Sequence, residues 1–297
     1  MQPSHQRPGL GVALGGGTAR GAAHIGALKV LEERGRTPDA IAGTSYGAII
    51  AALYALGMPA LEIEHLVRRQ NLNELWSTGL DFGLHRAGLV HGKRLERWLD
   101  RKIFFGATFT ECRMPLAVAC TDIRSGELVV VREGSLARAV IASCALPGIF
   151  APVELGGRVL IDGGFVEAVP FRALAALNPR RVIGIHAGVD PSESGLVRFL
   201  RTLAGSSLAE RLVLFTRGMS TATPLRRLLL GTSCALTSYL REQSVPPGAL
   251  LVTADPPVAW WDFHRSPEAI AAGERAMAQG LAVGDELLGA PGAGAEA

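Results

Sequence analysis

A chain of 297 residues, 48% apolar and 19% charged, with 36 glycines and 17 prolines, can bury a sizeable core and has the composition of a compact protein rich in tight turns. Its 30 basic and 27 acidic residues leave a formal charge of +3 with no dense basic stripe or interleaved aromatics, so nucleic acid is not an expected partner. That weak positive bias is compatible with contact at an anionic membrane surface.

In chain order, Leu10 to Leu14 reads as a buried strand ending at Gly15-Gly16-Gly17, followed by a helical pattern from about Arg20 to Arg34 that stops at Gly35. Asp39 to Gly43 gives a second strand and Ala48 to Leu56 a second helix, the alternation of an α/β domain with a mainly parallel sheet. Ala40 to Leu61 carries no charge, but Gly43, Gly57 and Pro59 interrupt it and its helical part is too short to span a bilayer. Residues 59 to 110 read as a helical insertion or cap, with helices over Pro59 to Asn71 and Lys93 to Lys102. Its aromatics Trp76, Phe82, Phe104, Phe105 and Phe109 pack on the main body or wall an acyl channel. Strands are expected at Pro115 to Cys120, Leu128 to Val131, Val159 to Ile161, Val182 to His186 and Leu250 to Thr253. Helices are expected at Leu136 to Leu146 and near 196 to 215, 224 to 241 and 267 to 282. No linker divides the chain, so one domain over residues 8 to 285 is expected, with residues 286 to 297 a frayed tail.

Cys112, Cys120, Cys144 and Cys234 have neither a close pair nor a regular Cys/His spacing, so they read as free thiols of a reducing compartment, and neither a metal nor a cofactor is expected. The opening MQPSHQRPGLGVAL lacks the apolar region of a secretory signal. A cytoplasmic location, with peripheral contact at the inner membrane surface, is the corresponding expectation.

The chemistry centres on Gly43-Thr44-Ser45-Tyr46-Gly47, a GxSxG sequence between an apolar strand and an apolar helix. A serine at such a turn is held clear of the sheet, and a glycine two positions to either side lets the backbone bend tightly. The competing role for Ser45 is a simple helix cap. The loop Gly15-Gly16-Gly17-Thr18-Ala19-Arg20-Gly21 fails both nucleotide patterns: Arg20 stands where a dinucleotide loop needs glycine, and Ala22-Ala23 where a phosphate loop needs Lys and Ser/Thr. What survives is a set of backbone N–H groups at a helix start, suited to an oxyanion formed when Ser45 attacks a carbonyl. Arg20 could orient this loop, meet an anionic head group, or form an ordinary helix-start ion pair. The base is open between two residues. His264 matches the Ser, Asp, His order of a triad, and Asp162 ends the strand Val159-Leu160-Ile161 ahead of Gly163-Gly164. His24 reads as a packed or hydrogen-bonded helix residue.

The ordered set LGGGTARGAAHIGAL, AGTSYGAI, CTDIRSGE, ASCALPGIF and LIDGGFVEAVP resembles the patatin-like phospholipase family, especially its bacterial members and the related catalytic domain of neuropathy target esterase. The resemblance covers about Leu10 to Pro170, and the FHRSPEAIAAGERAM stretch is also similar. It implies a three-layer α/β/α sandwich and a Ser45–Asp162 dyad in place of a triad. It also implies an oxyanion loop of Gly15, Gly16 and Gly17 closed by Arg20 and Gly21, and hydrolysis of acyl esters in phospholipids or lysophospholipids through an acyl-enzyme. Ala142, Ser143 and Pro147 match a family segment that holds no nucleophile, so Cys144 is not expected to act as one. A non-enzyme alternative is a lipid-binding, membrane-associated protein in which Trp260 and Trp261 are interfacial; packing or self-association is their competing role. The head group, the acyl chain and the oligomeric state are left open.

Overall fold

The computed structural model describes residues 8–69, 92–146, 150–188, 245–259 and 262–288. The expected helices near 196 to 215 and 224 to 241, residues Trp76, Phe82, Pro147, Cys234, Trp260 and Trp261, and residues 289 to 297 of the expected tail lie outside these ranges.

Strand β1 (Leu10–Leu14) leads through a 3-10 turn (Thr18–Ala22) into helix α1 (Ala23–Glu33). Next come β2 (Ala40–Thr44), α2 (Tyr46–Ala55), α3 (Ala60–Arg69) and α4 (Lys93–Trp98), the last continued by a π turn (Leu99–Ile103). Then follow β3 (Leu116–Asp122), β4 (Leu128–Val131), α5 (Leu136–Ser143), β5 (Val153–Leu155), β6 (Arg158–Asp162), α6 (Phe171–Ala175), β7 (Arg181–Ala187), β8 (Leu250–Ala254) and α7 (Ser266–Leu288). The sheet links in the order β5-β6-β3-β2-β1-β7-β8, with β4 also on β3. Its centre, β3-β2-β1-β7-β8, is parallel, and the contacts of β3 with β4 and β6 and of β5 with β6 are antiparallel. Strand β5 and helix α6 were not expected from sequence; both are short, and in both the period is too brief to register.

The alternation of side chains along the parallel strands builds two cores. Val12, Leu14, Ile41, Leu116, Val118, Ile183 and Ile185 face α1, α2, α5 and α7, whereas Ala13, Ala42, Ala117 and Ala119 face Phe171 and Leu174 of α6. Helices therefore cover both faces of a mixed sheet, which explains why its central strands read as continuous apolar runs.

Helices α1 and α7 meet backbone to backbone. A Cβ at Gly26 would lie 2.0 Å from the Ile270 carbonyl oxygen, and one at Gly273 would lie 1.8 Å from that of Ala23. Lys29 ties the same pair to α3, reaching Glu64 at 2.9 Å and Glu274 at 2.5 Å. Ala gains about 1 kcal/mol of helix propensity over Gly, but overpacking against rigid backbone costs roughly 1–3 kcal/mol. With a clash this deep, Gly273→Ala is expected to lower stability by about 2 kcal/mol, read as a drop in the thermal midpoint.

Candidate functional site

Ser45 is the single residue between β2 and α2, and it adopts φ 53°, ψ −126°, a left-handed backbone that side chains rarely take. Close packing holds it there. A Cβ at Gly43 would stand 2.5 Å from Ala48 Cα, and one at Gly47 would stand 2.4 Å from the carbonyl oxygens of Leu14 and Gly15, so α2 can approach β1 and β2 only with glycine at both places. The Ser45 side chain makes no capping hydrogen bond to α2, which removes the helix-cap role. Its N–H donates to Ser143 Oγ at 2.9 Å, and Ser143 Oγ donates to the Ala119 carbonyl at 2.7 Å.

Strand β3 brings the second group. Its odd-numbered backbone groups face β2, since Ile41 N–H donates to Pro115 O, while even-numbered Asp122 donates across the opposite edge to Glu127 beside β4. Ile123 N–H donates to Val159 O, so β6 shares the β2 edge of β3. Thr44 is paired with Ala119, and Asp162 with Cys120, the next position along. Strands β2 and β6 thus run head-on into each other, and Ser45 and Asp162 stand at the abutting ends. The Ser45 hydroxyl lies close enough to Asp162 to favour its ionised carboxylate. Asp162 Oδ1 accepts Gly164 N–H at 2.8 Å, and Asp162 N–H donates to the Ala145 carbonyl at 3.1 Å.

Asp162 is 5% exposed, and burial pushes its pKa up to about 6, against the nearby Ser45 hydroxyl and the Gly164 N–H, which hold it down. Beside it, desolvation and the Asp162 charge raise the Cys144 thiol well above its ordinary range, so Cys144 carries no thiolate at neutral pH. His264 lies exposed in the turn before α7 and has no recorded hydrogen bond to Ser45 or Asp162.

The glycine loop lies over the nucleophile turn, since a Cβ on Gly16 would be 3.6 Å from Ser45 Cβ. Gly15 N–H donates to Ile185 O and Gly16 N–H to Ala168 O, each at 2.9 Å, and Arg20 N–H is spent within the loop itself, so three of the five expected loop residues have their backbone donors engaged. Gly17 N–H and Thr18 N–H have no recorded partner among the described residues. Thr18, at φ 50°, donates its hydroxyl to Gly17 O, and Arg20 N–H donates to the same oxygen. Arg20 Nε binds Val258 O at 2.8 Å and anchors the loop to the segment before α7; Gly21 leaves room for the Tyr46 ring. Beneath the loop, His24 Nε2 lies 2.7 Å from Gly15 O, and burial drives its pKa down to about 4. The neutral ring donates Nε2–H to that carbonyl, leaving Nδ1 buried with no partner among the described residues.

Two supports were not assigned from sequence. His24 was read as a hydrogen-bonded helix residue, but its hold on Gly15 follows only from the fold, and Ser143 carries no local sign of its bond to Ser45. Among the described residues, no group of three or more His, Cys, Asp or Glu side chains is placed to hold a metal, and no helix is long and apolar enough to cross a membrane.

Comparison with known proteins identifies the family. The family model described as patatin-like phospholipase matches residues 12–175. An uncharacterized NTE family protein of Mycobacterium bovis is 32% identical over 224 residues, covering 75% of this chain and 60% of its own length. Another, from Mycobacterium tuberculosis, is 31% identical over 292 residues, covering 94% of this chain and 47% of its own length. Patatin-like phospholipase domain-containing protein 6 of Mus musculus is 32% identical over 200 residues, which is 66% of this chain and 15% of that protein. The chain therefore spans 60% or less of these relatives. The crystal structure of VipD from Legionella pneumophila shares the fold, with a TM-score of 0.54 at 16% identity over 94% of this chain and 67% of that one. On the family match and the relatives together, the chain belongs to the patatin-like phospholipase family and is related to the NTE family proteins.

Proposed function

We propose that this chain is a serine esterase that hydrolyses acyl esters of phospholipids or lysophospholipids through a Ser45–Asp162 dyad and an acyl-enzyme. The observation that carries the reading is the meeting of Ser45 with the buried Asp162 carboxylate at the abutting ends of β2 and β6, at a turn overlaid by a glycine loop whose Gly17 N–H has no partner among the described residues. In the forward step Ser45 Oγ attacks the ester carbonyl while its proton passes to Asp162. The N–H groups of Gly17 and Thr18 hold the developing oxyanion, and the N-terminus of α2 adds its dipole. Asp162 then gives the proton to the departing alcohol. A water deprotonated by the same carboxylate attacks the acyl-enzyme and releases the fatty acid.

Dry surroundings suit this chemistry. An ordinary carboxylate, with a pKa near 3.9, is a poor base for a hydroxyl, and raising it to about 6 brings it nearer the operating pH. The triad reading through His264 receives no support from its exposed position. The family relation and the acyl-lipid substrate it suggests also favour a lipid surface, at the inner face of a membrane, as the place where substrate is met.

Ser45→Ala is expected to abolish both ester hydrolysis and covalent labelling by a fluorophosphonate; unchanged activity in the purified variant removes the assignment. The pH profile gives a second test. Catalysis needs ionised Asp162, so kcat/KM should rise with pH through about 6 and fall tenfold per pH unit below it. The limb at about pH 6 should persist in His264→Ala, whereas Asp162→Asn should retain under a thousandth of wild-type kcat, on the order of the losses seen when a paired base is removed.

Stability should move the opposite way. Because the Asp162 pKa is higher folded than unfolded, the native state binds the extra proton and gains its stability below pH 3.8. That contribution is lost as pH rises through about 6. The gap between 3.8 and about 6 corresponds to about 3 kcal/mol, so inactive Asp162→Asn should melt several degrees above wild type at pH 8 and lose that advantage near pH 4.

A further inference from the structure

The turn that ends α5 holds the backbone of both dyad residues. Ser143 Oγ accepts the Ser45 N–H at 2.9 Å, and two residues on, the Ala145 carbonyl accepts the Asp162 N–H at 3.1 Å. Ser143 is fully buried, and its own proton goes to Ala119 O at 2.7 Å, the carbonyl of the β3 residue paired with Thr44. The turn is rigid in its own right, since Cys144 N–H continues the α5 ladder to Val140 O at 2.9 Å. A hydroxyl fits here because it alone among small side chains accepts from an amide while donating to a carbonyl.

We infer that Ser143 is a positioning residue for the proposed hydrolysis, pinning the strained Ser45 backbone so that its hydroxyl stays aimed at Asp162. This rests on the esterase reading and goes beyond it. The Ser45 N–H is thereby committed to Ser143, so it does not serve as an oxyanion donor, and its task passes to the loop over the turn. Removing the Ser143 hydroxyl leaves a buried N–H and a buried carbonyl unpaired and lets a residue at φ 53° relax. A misplacement of about 1 Å at a reacting group costs on the order of a hundredfold in rate.

The test compares wild type, Ser143→Ala and Ser143→Thr by fluorophosphonate titration and by kcat and KM on one short-chain ester, with every rate expressed per titrated site. Ser143→Ala should titrate but label and turn over about 10- to 100-fold more slowly, with KM within about twofold of wild type, and Ser143→Thr should recover most of the loss. Two results overturn the inference: Ser143→Ala with wild-type rates per titrated site, as a purely structural role would give, or a loss equal in Ser143→Thr. Labelling of wild type at Ser45 is read first. Its absence defeats the esterase reading and this inference together, whereas its presence with an indifferent Ser143→Ala defeats this inference alone.

Discussion

One hydrogen-bonding edge of β3 accepts two strands that travel toward each other, and the site depends on where they meet. β2 uses that edge up to Ala119, and β6 occupies it from Cys120 onward. Neither strand can continue, so β2 turns up sharply at Ser45 and β6 breaks at Asp162-Gly163-Gly164. A Cβ at Gly163 would lie 2.2 Å from the Ala119 carbonyl oxygen, so the break is packed as tightly as the nucleophile turn. Two polar side chains from residues 117 positions apart in sequence are thereby delivered to one point by backbone pairing alone.

This arrangement is costly to the fold, and the surroundings hold it in place. Ser45 keeps a strained backbone, Asp162 ionises in a place that disfavours charge, and His24 is buried with one nitrogen unpaired among the described residues. Each is held by groups that have little room to move: glycines at van der Waals limits, the end of α5, and the backbone contact of α1 with α7. The parallel core supplies the stability that lets the site remain strained, and conflicts with local preference gather where the chemistry is proposed.

Much of this could be read from residues. The apolar runs at Leu10–Leu14, Ala40–Thr44 and Leu116–Asp122 gave the central strands because both of their faces are covered. The GxSxG turn located Ser45 because its glycines have a local steric cause. Asp162 could not be separated from His264 by local pattern, since pairing register, a long-range property, decides which of them faces Ser45; only the family resemblance favoured it beforehand. The same limit applies to the glycine loop. Its sequence announces many N–H groups, yet which of them are spent on Ile185 and Ala168 follows from the neighbouring segments. The hydroxyl of Ser143, inside an ordinary helical pattern, gave no sign of its role.

The central claim is that Ser45 is the group that takes the acyl chain, beside a neutral Cys144 and a basic Asp162. Rapid acid quench of the enzyme during turnover of a slowly deacylated ester, followed by peptide mass spectrometry, tests it most directly. The account predicts the acyl mass on the peptide carrying Ser45. An acyl group on Cys144, or steady turnover of that ester with no acylated residue, would contradict it.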